Sequence, residues 1–173
     1  MIIEKEIVSK TLRDYIFITG IFDIDSKYLK KRVEEGVKIS NINYTTNVYG
    51  KHTAWKFFNE DEKFLSVLLQ IIDHLERLDV RSPSFKLGEA WGLVENFGNY
   101  TRKHNHNSQY LSGVLYLNDH DQKLFFPEIN QEVTPKTGRF ALFSSFLNHY
   151  TKRNLKHKDK YAISFNLSYN IVW

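Results

Sequence analysis

Apolar positions recur at helical spacing in residues 60–79. Seven of them fall on one face of a helix: Phe64, Val67, Leu68, Ile71, Ile72, Leu75 and Leu78. Acidic residues at 60–62 occupy the first turn, where the helix dipole favours negative charge. The pattern predicts an amphipathic helix whose apolar face packs on another layer, with His74 on its surface.

A second helix is predicted upstream of this one. Asp25 or Ser26 can cap its N-terminus, and Gly36 is expected to end it after about Glu35. Residues 1–20 predict one or two short strands, because their second half is rich in β-branched and aromatic side chains.

Residues 37–58, between the two predicted helices, follow neither a helical nor a strand period. They are rich in Asn, Thr and aromatic side chains. Loops of this length are uncommon in a compact domain unless they bind or cover something. Two interpretations stay open: a long covering loop, or a strand followed by an ordered surface loop.

From residue 86 onward, apolar positions recur every second residue. Candidate strands, separated by turn-rich segments, are 88–97, 110–118, 123–126, 139–143 and 160–168. Helices followed by several short strands predict a mainly β, α+β fold, an antiparallel sandwich or barrel buttressed by the N-terminal helices. We expect one domain over 1–173, with a helical and loop part at 1–85 and a β core at about 86–173.

Composition narrows the chemistry that this domain can perform. Among its 173 residues, 42% are apolar and 25% are charged, as in an ordinary globular protein, while aromatics reach 15% and cysteine is absent. The absence of Cys excludes a disulfide framework, a thiolate nucleophile, a Cys-ligated zinc and an iron–sulfur cluster. Any metal must therefore bind to His, Asp or Glu.

Charge and terminal sequence give weaker information about partners and location. The net charge of +4 is spread along the chain, which favours a solvated surface over a nucleic-acid groove without excluding the groove. The N-terminal residues do not have the pattern of a signal peptide, and no apolar stretch is long enough to cross a bilayer. We expect a soluble, cytoplasmic protein without a membrane partner.

The segment His104-Asn105-His106 is the strongest candidate for chemistry. Residues two apart in an extended chain point to the same face, so both imidazoles can bind one metal ion. His149 follows another candidate strand and can supply a third nitrogen. Two ligands on one strand and one on another resemble a facial triad with open coordination positions. The alternative is a pair of ordinary surface histidines in a loop rich in Lys and Asn.

The last predicted strand has two unlike faces. One face is apolar, and the other is small and polar with a single cation: Lys160, Ala162, Ser164 and Asn166. On the strand at 110–118, one face carries Ser112, Val114 and Tyr116. A buried lysine requires a partner, so the polar face fits an anionic ligand such as a dicarboxylic acid. A solvent-facing strand with an ordinary surface lysine is the other interpretation.

These segments together resemble the 2-oxoglutarate- and Fe(II)-dependent oxygenase superfamily, and in particular its small, often phage-encoded group related to prolyl hydroxylases. The resemblance covers about residues 90–168 and rests on segments in the same order: 104–108, 111–117, 135–138, 143–149 and 160–166. It implies a double-stranded β-helix, a jelly-roll or cupin-like barrel. For a phage-encoded member, the expected location is the host cytoplasm.

The resemblance also implies a set of metal ligands. His104 and His149 match iron ligands of the superfamily, and His106 stands where most members have Asp or Glu. A site of three histidines has no anionic ligand, which changes its charge and its metal preference. Candidates for a carboxylate from elsewhere in the chain are Asp119, Asp121 and Glu128.

The implied cofactors are Fe(II), 2-oxoglutarate and O2. Lys160 and Tyr116 match residues that hold the 5-carboxylate of 2-oxoglutarate, and Ser164 and Asn166 are expected to line the same site. Most members have Arg in place of Lys160, and Lys cannot form a bidentate fork. The implied activity is a dioxygenase that couples oxidative decarboxylation of 2-oxoglutarate to C–H hydroxylation. The substrate is open among a peptidyl residue, a free amino acid, a nucleobase and a small metabolite.

Further residues are predicted around the pocket from the same resemblance. Asn96 and Phe97 precede the histidine pair and are candidates for its lining, with packing in the core as the alternative. Tyr44, Tyr49 and Trp55 are candidates for covering the substrate.

Two other functions remain as alternatives. The first is a cupin-type three-His metal enzyme that does not use 2-oxoglutarate, although the Glu expected shortly after the second His is absent from 109–111. The second is a non-catalytic jelly-roll binding or structural module with surface histidines. The joint presence of three suitably spaced histidines and Lys160 disfavours the second alternative.

Overall fold

The fold is that of a computed structural model of the chain, in which residues 1–9, 14–40, 46–78 and 85–169 are described. These residues form two α-helices, a 3-10 helix at Pro127–Ile129 and twelve strands. The α-helices are α1 Ser26–Ile39 and α2 Glu62–Arg77. The strands are β1 Ile2–Ser9, β2 Tyr15–Ile21, β3 Val48–Tyr49, β4 Lys51–His52, β5 Phe85–Glu95, β6 Tyr100–Thr101, β7 Leu111–Tyr116, β8 Leu124–Phe126, β9 Gln131–Val133, β10 Arg139–Ser144, β11 Tyr150–Thr151 and β12 Lys160–Tyr169. Side chains of residues 9 and 169 are outside the description.

The strands form two facing layers. One layer is a seven-stranded antiparallel sheet in the order β1-β2-β10-β7-β12-β5-β4. The other layer consists of a three-stranded sheet, β11-β8-β9, and the pair β3-β6. Apolar side chains from both layers, including Phe126 and Val133 opposite Val114 and Phe143, form one buried cluster between them. This is the predicted jelly-roll, double-stranded β-helix fold.

The central strands of the large sheet are buried on both faces, with successive side chains pointing alternately to the helices and to the second layer. Ile163, Phe165 and Leu167 of β12 join the apolar cluster that lies under the helices. Ala162 and, on β7, Tyr116 belong to the cluster between the two layers. The predicted separation of the last strand into an apolar and a small polar face is confirmed.

Both helices begin at an aspartate cap and pack on the outer face of the large sheet. The side chain of Asp25 accepts a hydrogen bond from the Tyr28 N–H, and Asp61 accepts one from the Phe64 N–H. Asp61 also accepts a hydrogen bond from the Tyr28 hydroxyl at 3.1 Å, which joins the two helices. No helix in the described ranges is long and apolar enough to cross a membrane.

We expect Asp61→Ala to lower the free energy of unfolding by about 2 kcal/mol, because it removes a cap and leaves the Tyr28 hydroxyl without its acceptor. Urea denaturation measures this loss. The matched control is Asp25→Ala, which removes the other cap but lies at the surface, with a side chain 47% exposed. The control should lose less stability, and equal losses in the two variants would contradict the dual role of Asp61.

The expectation that Gly36 ends the first helix is wrong, since α1 continues to Ile39. Gly36 is buried inside the helix against the segment that follows β4. A Cβ atom there would lie 2.6 Å from Thr53 Cγ2 and 2.8 Å from Phe57 Cζ. The glycine thus permits a close approach between helix and chain, and it does not act as a stop.

The described part of 37–58 is not one long irregular loop, because it contains regular secondary structure. It comprises the end of α1 and the short strands β3 and β4, which pair with β6 and β5. Tyr44, one of the residues predicted to cover the substrate, lies outside the described residues.

Candidate metal centre

Three histidines converge in the space between the two layers. One ring nitrogen from each of His104, His106 and His149 lies within 4.8 Å of the others. The ring centroids are 4.3 Å apart for His104 and His149, 4.9 Å for His104 and His106, and 5.3 Å for His106 and His149. The structure therefore brings together the three residues that the sequence singled out as metal ligands.

Backbone hydrogen bonds fix the positions of these histidines. The His104 N–H donates to the His149 carbonyl at 3.1 Å, and the His149 N–H donates to the His104 carbonyl at 2.9 Å. The His106 N–H donates to the Ser145 carbonyl at 2.8 Å. Because these bonds use main-chain atoms alone, the backbone frame of the site does not depend on the imidazoles.

The ring hydrogen bonds leave suitable lone pairs for a metal. The Nδ1 atom of His104 lies 2.8 Å from the Arg102 carbonyl oxygen, and that of His149 lies 3.0 Å from the Leu147 carbonyl oxygen. A carbonyl oxygen only accepts, so Nδ1 carries the proton in both rings and Nε2 keeps its lone pair. Metal-binding histidines are commonly oriented in this way by a carbonyl on the other nitrogen.

Burial keeps the three imidazoles neutral. Desolvation lowers the pKa of His104 and lowers that of His149 well below its usual value. Desolvation and, secondarily, the neighbouring His104 lower the pKa of His106 to about 4. At neutral pH all three rings are uncharged, which is the form that binds a metal.

None of the carboxylates proposed as an additional ligand belongs to this histidine group. Asp119 accepts hydrogen bonds from the Thr137 N–H and hydroxyl at 2.8 and 2.9 Å. Asp121 lies 3.4 Å from the Lys156 ammonium, and Glu128 accepts a hydrogen bond from the Asn148 side chain. The expectation of a carboxylate ligand from these positions is therefore wrong.

The histidines line a pocket together with the other predicted site residues, Lys160, Tyr116, Ser164 and Asn166. Lys160 is 3% exposed and Tyr116 is 2% exposed. Burial, and secondarily the charge of nearby Glu95, raise the pKa of the Tyr116 hydroxyl, so it remains a hydrogen-bond donor. A cation and a neutral donor thus face the same enclosed space as the imidazoles.

The amide of Asn166 is already engaged with its neighbours. Its oxygen accepts a hydrogen bond from the Ser112 hydroxyl at 2.7 Å, and its nitrogen donates to Glu89 at 2.8 Å. Ser164 is half-buried on the same face of β12. The Ser164 side chain, unlike that of Asn166, forms no hydrogen-bond network with other described residues.

Lys160 has a protein partner that the sequence did not suggest. Its ammonium forms an ion pair with Oε2 of Glu95, which is 1% exposed and lies directly opposite Lys160 in the register of β5 and β12. The Oε1 atom of Glu95 accepts hydrogen bonds from the hydroxyls of Thr101 and Thr151 at 3.1 and 3.2 Å. The pocket therefore contains a fully hydrogen-bonded carboxylate as well as a cation.

Asn96 and Phe97, which directly follow β5, were predicted to line the pocket, and neither does so. Phe97 is 55% exposed and stacks on His157, while Asn96 borders a separate surface groove. The inward positions are the alternate residues Trp91, Leu93 and Glu95. Because alternate residues of a strand share a face, the inward positions Trp91 and Leu93 indicate that Glu95 also points inward.

Trp91 adds a further polar group to the pocket. Its indole Nε1–H is buried and has no hydrogen-bond partner within the described residues. The Trp55 ring, predicted to cover the substrate, contacts Trp91 edge to face at 4.9 Å. Tyr49, predicted for the same role, stacks on Tyr100 at 4.5 Å. Because an unpaired buried donor is costly, the Trp91 N–H favours a ligand that carries an acceptor.

No model of a known protein family matches the sequence, and no curated protein matches it either. Solved structures do share its fold. A viral collagen prolyl hydroxylase from Paramecium bursaria Chlorella virus-1, in complex with 2-oxoglutarate, has a TM-score of 0.68 at 15% identity over 90% of this chain and 96% of that one. A Pseudomonas putida prolyl-4-hydroxylase has a TM-score of 0.67 at 16% identity over 89% and 92%.

A third structure is HygX from Streptomyces hygroscopicus with nickel and 2-oxoglutarate bound. Its TM-score is 0.65 at 15% identity, over 91% of this chain and 83% of that one. At such identities the likeness establishes the fold. The chain thus shares the double-stranded β-helix fold of these three structures, which is the fold that the resemblance implied.

Proposed function

We propose that this protein is a non-haem Fe(II)- and 2-oxoglutarate-dependent dioxygenase, with hydroxylation of a C–H bond as its reaction. The observation that carries the proposal is the convergence of three neutral imidazoles on a pocket that also holds a buried lysine. The shared fold with proteins solved in complex with 2-oxoglutarate supports it.

The residues present fit the proposed cofactors. Neutral imidazole nitrogens suit Fe(II) and neighbouring divalent metals, so His104, His106 and His149 would hold the ion. Lys160 and Tyr116 would hold the far carboxylate of 2-oxoglutarate, with Ser164 and Asn166 beside them. When bound, the metal and the oxo acid supply oxygen activation coupled to oxidative decarboxylation.

The remaining contribution of the chain is orientation and exclusion of water. The walls of the pocket include apolar side chains from both layers: Leu93, Val114, Leu124 and Phe143. Such walls strengthen electrostatic interactions inside and keep water from competing with ligands. The Trp91 N–H would donate to an oxygen of a bound ligand, since no described protein group accepts its hydrogen.

A direct experiment tests the proposal. Protein loaded with Fe(II) is mixed with 2-oxoglutarate under oxygen, and succinate formation is measured together with the melting temperature. We expect succinate above that of metal-free protein, and stabilisation by metal and oxo acid together beyond that by metal alone. Failure of 2-oxoglutarate to change either quantity would contradict the proposal.

The second candidate is a three-His metal enzyme that does not use 2-oxoglutarate. Two observations favour it: His106 replaces the usual carboxylate ligand, and Glu95 already neutralises the cation of Lys160. Metal binding without any response to 2-oxoglutarate would support this candidate.

A substitution at His106 tests the ligand set. We expect His106→Asp to keep metal binding, because it produces two histidines and one carboxylate, the set typical of Fe(II) oxygenases. We expect His106→Ala to weaken metal binding by more than about a hundredfold, the upper value for loss of an outer partner. Titration with Mn(II) without oxygen measures both affinities. Equal affinities of His106→Ala and the wild type would show that His106 is not a ligand.

A further inference from the structure

The lysine and the glutamate of the pocket form a pair that faces any bound ligand. Lys160 and Glu95 are 3% and 1% exposed, and both line the same pocket as the three histidines. They occupy directly opposite positions on β12 and β5. The Lys160 end of the pocket therefore holds an ion pair, so its two charged side chains contribute no net charge.

Glu95 is held firmly in this arrangement. Two threonine hydroxyls donate to its Oε1 atom, and the Asn154 side chain donates to its main-chain carbonyl at 3.0 Å. Thr151, one of the two hydroxyl donors, is itself fixed by the Thr101 N–H at 2.8 Å. Departure of the Glu95 side chain from Lys160 would break the two hydrogen bonds from the threonine hydroxyls, so a ligand meets both charges at once.

The pair changes where positive charge lies in the pocket. With a carboxylate among the metal ligands and an unpaired lysine, one positive charge would remain at the metal and another at the far end. With three neutral histidines and a paired lysine, all net positive charge of a divalent ion remains at the metal. The total is the same, but the far end attracts an anion less strongly than an unpaired lysine would.

A second carboxylate at the far end would have to share Lys160 with Glu95. An ammonium has three hydrogens, so it can donate to both acceptors. The two carboxylates would nevertheless repel each other in a poorly solvated space, and a like charge at close range disfavours the charged form of a neighbour. Glu95 therefore opposes the binding of a dicarboxylate at the place where Lys160 favours it.

We infer that Glu95 determines cosubstrate specificity, so that the pocket accepts 2-oxo acids with an uncharged tail nearly as well as 2-oxoglutarate. The inference rests on the proposed function. The ligand class is a 2-oxo monocarboxylate, held at its oxo acid end by the metal, with a tail that needs no cation. Glu95 is a specificity-determining residue in this role and takes no part in the reaction.

The test compares the binding of two oxo acids of equal chain length. Protein loaded with Mn(II) is titrated without oxygen with 2-oxoglutarate and with 2-oxopentanoate, which lacks the far carboxylate. In the wild type, we expect the two dissociation constants to differ by less than about tenfold. In Glu95→Gln, we expect the preference for 2-oxoglutarate to rise by about tenfold or more, the size of effect that a neighbouring charge produces.

Two variants serve as controls. Glu89 lies on the same strand as Glu95, accepts a hydrogen bond from Asn166 and does not line the pocket. Glu89→Gln should therefore leave the preference at its wild-type value. Glu95→Asp keeps the charge and should also retain the wild-type preference. If Glu95→Gln fails to fold, the two wild-type dissociation constants decide alone, because a wild-type preference for 2-oxoglutarate of more than about tenfold overturns the inference.

The outcomes separate the inference from the proposed function. If neither acid binds to the metal-loaded protein, the proposed function fails and the inference with it. If 2-oxoglutarate binds but the wild type prefers it by more than about tenfold, the inference fails and the proposed function stands. The same holds if Glu95→Gln leaves the preference unchanged.

Discussion

His149→Ala is expected to abolish 2-oxoglutarate-dependent succinate formation and to remove the stabilisation by Fe(II). The variant deletes one of three neutral nitrogens that converge within 4.8 Å. Loss of a direct ligand should weaken metal binding by more than about a hundredfold, the upper value for loss of an outer partner. The backbone bridge between residues 149 and 104 is independent of the side chain, so the frame of the site should persist.

Anaerobic metal titration and a succinate assay measure the two losses. His120→Ala is a matched control, because His120 and His149 are both 6% exposed. The His120 ring is bound to the Lys158 carbonyl and to the Gln122 N–H, both at 2.9 Å, and has no place in the histidine group. The control should lose stability and keep its metal affinity. Wild-type metal affinity in His149→Ala, or its loss in His120→Ala, would contradict the assigned site.

Removing one member of the Lys160–Glu95 pair is expected to destabilise the protein far more than removing both. Lys160→Met leaves a buried carboxylate without its cation, and Glu95→Gln leaves a buried ammonium without its anion. Breaking a buried pair in this way typically costs about 3–5 kcal/mol, whereas replacing both charges is often nearly neutral. The double variant should therefore recover most of the stability that either single variant loses.

Urea denaturation of the four proteins gives the coupling free energy. The pair Lys123–Glu132 provides a surface comparison, with side chains 38% and 50% exposed, and should couple by less than about 1 kcal/mol. Additive effects at residues 95 and 160 would show that the two charges do not depend on each other. In Glu95→Gln, 2-oxoglutarate should stabilise more than in the wild type, since its far carboxylate replaces the missing anion.

Several features of the site could be predicted from local sequence. The spacing of His104 and His106 places two rings on one side of an extended segment, and the structure has them there. The alternation in 160–168 predicted which side chains of β12 face the interior, and this was confirmed. The roles of Lys160, Tyr116, Ser164 and Asn166 toward a ligand stay predictions, tested by the experiments above.

Other features depend on contacts between distant segments. The strands β6, β9 and β11 have only two or three residues each, too few to show a period. Gly36 was mistaken for a helix stop because its neighbours, Thr53 and Phe57, come from later in the chain. The engagement of Asn166 by Ser112 and Glu89 likewise joins three different strands.

The sequence alone determined the mainly β fold, the inward faces of β7 and β12 and the shared side of His104 and His106, since these follow from periods of two and 3.6 residues within one segment. The tertiary structure decided which partner each inward side chain meets. Residues 95 and 160 are far apart in the chain, and only the register of β5 against β12 places their charges opposite each other. Burial then makes that contact obligatory, because neither charge can be left unpaired away from water.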